Sequence, residues 1–385
     1  MQITFASLLL LCLCGVQFPG RYKLQLYPVK KLYNTVDRRV LHEQMMQGNE
    51  PRVTVSFYKY WPIKNPQLFR DYLFIHWNEM GVMGRTYVAH EGINAQISVP
   101  EKNFFWFREH LDTISFLDSV RLNVAVQDDG KSFIKLKVKV RNKIVADGIS
   151  DPAFNPSDTG VHLDAEHFNQ LTDDPETILI DMRNHYESEV GHFQNAITPD
   201  ADTFREEIAM VEKMLKGKKE QNIVMYCTGG IRCEKASAYL KHKGFSNVHQ
   251  LEGGIIKYAQ DVKTSGLKNK FKGVNFVFDE RLSERISDDV LAQCHQCGNP
   301  YDHHTNCRNE GCHVLFIQCP ECAQKFEGCC SEDCHHIIQL PEEEQRMVRK
   351  GKPAARNVFK KGRSEKLLFK ENRVKPEHLS STDRD

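Results

Sequence analysis

The order of residues between Asn222 and Lys243, NIVMYCTGGIRCEKASAYLKHK, leaves few folds open to this chain. Asn222 to Tyr226 is a short, nearly unbroken apolar run, which suits a strand buried on both faces rather than one that alternates. Ile178 to Asp181 (ILID) reads the same way, and helical stretches at Asp202 to Leu215 and Cys233 to Lys243 alternate with these strands. A further strand at Val248 to Leu251, a Gly253-Gly254 turn and a helix from Ile255 close the unit. Strands alternating with helices predict a parallel sheet wrapped by helices.

The same stretch concentrates chemistry in the loop Cys227-Thr228-Gly229-Gly230-Ile231-Arg232. A cysteine leaving the carboxyl end of a strand, with backbone N–H groups curling round it and a helix amino terminus behind, sits in a positive concavity. Such a sulfur ionises easily. Gly229 and Gly230 allow the turn, and Arg232 is expected to add a permanent charge at the rim. Together they suit a thiolate, a persulfide or a bound oxyanion. Cys233, at the start of the helix, reads either as a packing residue or as a resolving thiol.

Ahead of this unit, Val53 begins an alternating run, VTVSFYKY, followed by a helix-like stretch from Pro66 to Met80. Strands at Arg85 to His90 and Ala95 to Val99, a helix from Lys102 to Ile114 and strands at Val120 to Val126 and Phe133 to Val140 complete a β-α-β-β-α-β order. That order predicts a ferredoxin-like sandwich of helices on one antiparallel sheet. His90, Glu91 and Asn94 fall in a turn between two of these strands, where a solvated role is the simplest reading. Pro152, Pro156 and Gly160 mark a linker.

Nine of the thirteen cysteines lie between Cys294 and Cys334. Cys294-x2-Cys297 with Cys307-x4-Cys312, then Cys319-x2-Cys322 with Cys329-Cys330 and Cys334, have the paired spacing of tetrahedral zinc sites, with Cys329 or Cys330 spare and Cys330 taken as the ligand. Whether the pairs combine in order or cross-brace is open, several nearby histidines could substitute, and an iron–sulfur cluster is the alternative. A closed four-thiolate site is structural rather than catalytic. Thiol ligands also imply a reducing, cytoplasmic setting. The apolar Ile3 to Val16 is too short to span a bilayer and has no preceding Lys or Arg, so a translation start further downstream is expected rather than export.

The net charge of +1 gives no global preference for an acidic partner. The tail differs: Arg346 to Lys375 carries twelve Lys or Arg against only Glu365 and Glu371 and is expected to be disordered alone. Such a run is usually a solvated surface; with a nucleic-acid partner, Arg349, Lys350, Lys352, Lys360, Lys361 and Arg363 would be its candidate phosphate contacts.

Asp181-Met182-Arg183, Gly191-His192-Phe193 with Ala196, Tyr226-Cys227 and Leu251-Glu252-Gly253-Gly254 resemble the successive signatures of a rhodanese domain. Four residues separate Cys227 from Arg232, one fewer than in the similar cysteine phosphatases, which argues against a phosphate ester. Phe57-Tyr58-Lys59-Tyr60, Ala89 to Ser98, Asp181 to Glu187 and Tyr226 to Ser237 further resemble the bacterial tRNA uridine hydroxylase family, over about Asn34 to Pro341. The resemblance implies oxygen-dependent 5-hydroxylation of the wobble uridine of tRNA, with Cys227 as the required residue, dioxygen as co-substrate and the anticodon loop as partner. A rhodanese-type sulfurtransferase acting through a Cys227 persulfide is the alternative. No membrane association and no stable protein partner are expected.

The expected fold class is multidomain α/β and α+β. Residues 1–50 form an apolar leader and extension, 51–150 a ferredoxin-like domain, 170–266 a rhodanese-like parallel-sheet domain, 288–338 a cysteine-rich zinc segment and 339–385 the basic tail.

Overall fold

The computed structural model of the protein describes residues 32–350 and Leu367. The apolar stretch Ile3 to Val16 and the tail cations Lys352, Lys360, Lys361 and Arg363 lie outside the described residues. The chain divides into two compact units: one reaching Leu122 and including Asp128–Ile144, the other comprising Asn123–Gln127 and everything from Val145 onward.

In the first unit, β1 (Arg52–Tyr60), a helix at Pro66–Glu79, β2 (Met83–Ala89), β3 (Gly92–Pro100) and a helix at Glu101–Asp112 follow the expected order. The first helix starts where it does because the Asn65 side chain accepts the Leu68 N–H at 3.0 Å and Pro66 opens the first turn. The expected strand at Val120 to Val126 shrinks to β4 (Asn123–Val124), whose residues are counted with the second unit, and the last becomes β5 (Leu136–Val140). β3 lies antiparallel to both β1 and β2, whereas β5 runs parallel to β2, so the sheet is mixed rather than wholly antiparallel. Alternation reports that a segment is a strand but not which way it runs. Val55, Phe57, Ile93, Ile97, Leu136 and Val138 from the sheet meet Leu73, Trp77, Phe107 and Leu111 from the helices in one core. Trp77 makes edge contacts with Phe57 and Phe107 at 6.3 and 5.6 Å.

The second unit contains β6 (Val161–Leu163), β7 (Ile178–Asp181), β8 (Gly191–Phe193), β9 (Ile223–Tyr226), β10 (Val248–Leu251), β11 (Phe271–Phe276) and β12 (Ser283–Arg285). β6, β10, β9 and β7 lie side by side in that order, all parallel. The unbroken apolar run of β9 is explained by its two cores. Ile223 and Met225 pack with Ile180, Ile208, Val211 and Leu240, while Val224 and Tyr226 pack with Phe168, Phe193, Ile255 and Tyr258 on the opposite side. β6 and the helix Ala165–Leu171 precede the first strand that sequence patterning detects, since Val161 and His162 are exposed and give no apolar run. β11 pairs antiparallel with β8 and β12.

The cysteine-rich segment holds the two-stranded ribbon β13 (His304–Asn306) and β14 (Leu315–Ile317) and short helices at Pro320–Lys325 and Glu332–Gln339. The basic tail does not begin unstructured at residue 339 as expected. Glu342–Arg349 is helical, with Glu342, Glu343 and Glu344 in the first turn and Arg346 and Arg349 in the last, the arrangement that complements the helix dipole. Arg349 pairs with Glu310 at 2.5 Å, so this cation is engaged within the protein.

Candidate active site and cysteine clusters

β9 ends at Tyr226, Cys227 follows directly, and the helix Ile231–His242 starts after the loop with Gly230 as its cap. Of the glycine pair only Gly230 adopts a positive φ, 99°, and its N–H donates to Cys227 Sγ at 3.2 Å. Glycine is also needed across the way: a Cβ at Gly254 would lie 2.4 Å from the Cys227 carbonyl oxygen. The chain can therefore come close enough for the N–H groups of Ile255 and Ile256 to donate to the Cys227 and Thr228 carbonyls at 3.0 and 3.2 Å. The Gly229 carbonyl accepts from Asn123 Nδ2 at 3.3 Å. With the loop carbonyls tied off outward, its N–H groups are left to face the sulfur.

Cys227 is only 1% exposed. Burial by itself raises its thiol pKa, but the Cys233 thiol, the Arg232 charge and the N–H groups of Cys233 and Arg232 outweigh burial and pull it down from 9.0 to about 6. Cys233 behaves oppositely: burial, and then its hydrogen bond to Cys227, push it well above the usual thiol value. The two thiols are thus shifted in opposite directions, Cys227 towards the thiolate and Cys233 towards the neutral thiol, a division of roles that neither sequence reading of Cys233 specified.

Arg232 is not at a rim. It is 8% exposed and grips Glu187 in a two-pronged ion pair, Nη1 to Oε1 at 2.7 Å and Nη2 to Oε2 at 2.8 Å. Nη2 also reaches Thr228 Oγ1 at 3.4 Å, and the guanidinium lies 6.0 Å from the Phe278 ring. Spacing located Arg232 in the loop but not the carboxylate that encloses it. Glu187 Oε1 also accepts the Asn184 N–H at 3.2 Å, back across the start of its own short helix. Ile231 opens the helix and is half-buried.

Two more buried polar groups complete the surroundings. Arg183 and Asp181 form a fully buried pair at 2.7 Å. Glu207, on the helix Phe204–Met214, is 0% exposed and neither of its carboxyl oxygens has a hydrogen-bond partner. Burial drives its pKa well above the usual carboxylate range, Arg232 opposes this, and Asp181, Glu187 and Cys227 add to it. Sequence gave no sign of this, because Glu206-Glu207 reads as an exposed acidic first turn.

In the first unit, His90 Nδ1 contacts the Ile63 carbonyl at 2.9 Å, Glu91 accepts the Ile144 N–H at 2.7 Å and Asn94 donates to the Ile144 carbonyl at 3.1 Å. Glu91 and Asn94 thus hold the chain at Ile144 and His90 holds it at Ile63, so each has a structural task.

The eight cysteines singled out by spacing gather in two groups. Cys294, Cys297, Cys319 and Cys322 form one, Cys307, Cys312, Cys330 and Cys334 the other, each with its sulfurs within 4.8 Å of one another. The pairs therefore cross-brace. Sγ separations of 3.6 Å (Cys297–Cys319), 3.7 Å (Cys312–Cys330) and 3.8 Å (Cys330–Cys334) match the roughly 3.8 Å between sulfurs at tetrahedral corners about 2.3 Å from a zinc ion. The N–H groups of Cys319 and Cys330 donate to Cys294 and Cys307 sulfurs, both at 3.4 Å. Both donor sets fit a soft divalent metal. Cys329 is buried outside both groups, and no histidine joins either among the described residues.

Family models match in three consecutive blocks: a UPF0176 acylphosphatase like domain at residues 52–144, a rhodanese-like domain at 164–261 and a rhodanase C-terminal region at 272–335. The tRNA uridine(34) hydroxylase of Pectobacterium atrosepticum is 57% identical over 333 residues, covering 86% of this chain and 94% of that protein. The enzymes of the same name from Photorhabdus laumondii, 56% identical with 86% and 95% covered, and Yersinia pestis, 57% with 86% and 94%, agree. With that identity sustained across the acylphosphatase-like, rhodanese and cysteine-cluster regions, this chain belongs to the tRNA uridine(34) hydroxylase family.

Proposed function

We propose that this protein installs a hydroxyl group on carbon 5 of the wobble uridine of tRNA, with dioxygen as co-substrate and Cys227 as the reacting group. The observation that carries the reading is the Cys227 sulfur, held as a thiolate by a backbone N–H, a thiol donor and a nearby guanidinium, in a chain 57% identical to a tRNA uridine(34) hydroxylase. Carbon 6 of uracil accepts nucleophiles. Attack by Sγ forms an S–C6 bond and moves the π pair towards carbon 5, which then attacks one oxygen of dioxygen that an external reductant has reduced by two electrons and two protons to the peroxide level; the O–O bond breaks and the second oxygen leaves as water. Loss of the carbon 5 proton and departure of the thiolate restore the ring. An anticodon-loop base stands outside any duplex, so little is needed to extract it.

The two cysteine groups would hold zinc, each closed by four sulfurs with no open coordination position, and so would shape the fold rather than react. Among the described residues no helix is long and apolar enough to cross a membrane. We place the protein in the cytoplasm, where its thiols stay reduced and tRNA is at hand.

The test is complementation of a deletion strain, with mass spectrometry of tRNA nucleosides from cells grown with and without oxygen. Wild type restores 5-hydroxyuridine derivatives only with oxygen, and Cys227→Ser does not restore them. Normal levels with Cys227→Ser would overturn the reading. The same N–H cradle would accept a persulfide, so sulfurtransfer is the second reading. Thiosulfate:cyanide turnover at the rate of a dedicated sulfurtransferase, with unaltered wobble uridine in the deletion strain, would favour it.

A further inference from the structure

Helices cover one face of the first unit's sheet, and the residues of opposite parity make the other. On β5 this second face carries Lys135 at its edge, then Lys137 and Lys139, with Arg141 just beyond. Register sets Arg85 of β2 beside Lys137 and Tyr87 beside Lys139. Next across the sheet come Gln96 and Asn94 of β3, opposite Arg85 and Tyr87. Five cations, an aromatic ring and two amides thus share adjoining rows with no Asp or Glu among them. Arg141 sits over the Tyr87 ring at 5.4 Å. Lys137 and Lys139 are exposed.

Like charges on neighbouring strands repel, and the repulsion is felt: Lys137 is held below the usual lysine value, first by partial burial and then by Lys135, Arg85, Lys139 and Arg38. A sheet face that gathers cations at a cost in stability is suited to a polyanion. Its half-buried Tyr87 adds a ring on which a base can stack, which a protein or membrane partner would not require.

We propose that this face of the first unit binds single-stranded tRNA, with Lys135, Lys137, Lys139 and Arg141 along the phosphates and Tyr87 against a base. The proposal rests on the tRNA reading given above and adds to it a docking surface separate from the Cys227 loop and from the basic tail.

The experiment measures the affinity of the full-length protein for an unmodified tRNA transcript over a range of potassium chloride concentrations. Wild type is compared with Lys135→Gln/Lys137→Gln/Lys139→Gln and with Lys216→Gln/Lys218→Gln/Lys219→Gln, which removes the same charge from exposed positions of the second unit. The first variant should lower the log–log salt slope by about two, at roughly 0.7 per single-strand phosphate contact, while the second leaves it unchanged. Tyr87→Leu should weaken binding roughly tenfold with the slope intact. Circular dichroism and resistance to proteolysis within residues 52–144 report that each variant is folded, and Lys137→Gln or Lys139→Gln alone, each lowering the slope by about 0.7, replaces the triple variant if it is not. Wild type with a steep slope and a triple variant with the same slope would overturn this surface while leaving the tRNA reading standing. Wild type without measurable tRNA affinity would overturn both. Polyglutamate competing as well as tRNA would overturn the nucleic-acid assignment in favour of an acidic protein partner.

Discussion

The rhodanese loop and the cysteine-rich segment use the same side chain to opposite ends. Cys227 is a single sulfur, and the groups that stabilise its charge are a glycine N–H, a neighbouring thiol and an arginine. In the cysteine-rich segment eight sulfurs stand in fours, each group within 4.8 Å, so that like groups crowd one another until a cation joins them. Cys227 is buried, and so are seven of the eight cluster cysteines, Cys297 alone being exposed. What separates a nucleophile from a ligand here is therefore not exposure but whether the compensating positive charge comes from the protein or must be supplied from outside.

The strongest way to break that contrast is to remove the metal. The purified protein should contain about two zinc ions per chain, and since structural zinc supplies on the order of 10–16 kcal/mol in small domains, chelation should unfold Cys294 to Cys334. Cys227 should still be alkylated at its original rate. Elemental analysis giving iron with acid-labile sulfide, or no metal in a segment that resists proteolysis, would refute the zinc assignment.

A smaller effect is expected at the buried ion pair. Arg232→Ala strands Glu187, and Glu187→Ala strands Arg232, so either should cost about 3–5 kcal/mol in thermal or denaturant unfolding. Replacing both partners with Met and Leu of similar volume should recover much of the loss. Mild effects of the single variants would show that the pair is solvated in solution. In any folded Arg232→Ala protein the Cys227 alkylation midpoint should also rise.

For Cys227 itself, alkylation should increase with pH through a midpoint of about 6. The sign for stability follows from a folded value below the unfolded 9.0. The stabilising contribution is fully present above pH 9 and is lost as pH falls through about 6. Cys233→Ala should shift the midpoint upward, and a wild-type midpoint of 8 or more would contradict the thiolate. The smallest expected change is at Glu207. If that carboxyl is kept neutral by burial, Glu207→Gln should leave the Cys227 midpoint where it is. A fall in the midpoint would mean that a negative charge had been removed.

How much of this was legible in the sequence depended on the range of the signal. The strand at Ile223–Tyr226, the loop and the helix that follows are local, and apolar continuity with a glycine turn placed each within a residue or two. The spacing within cysteine pairs is local too. Which pair meets which is tertiary, and so the cross-braced grouping could not be read off. Arg232 shows the same divide, since its partner Glu187 stands 45 residues earlier and only the fold brings them together. The parallel β2–β5 pairing escaped for a related reason, because strand direction is set by the connection and not by alternation.

The cross-bracing has a consequence for how metal enters and leaves. Along the chain the cysteine pairs belong alternately to the first group, the second, the first and the second, so the loop closed by either ion contains half the ligands of the other. The first ion to bind shortens the chain that the second must gather, and the first to leave restores that freedom. Loading is then close to all-or-none: a chelator titration followed by metal release should show one transition rather than two, and molecules carrying a single ion should be scarce at every point along it.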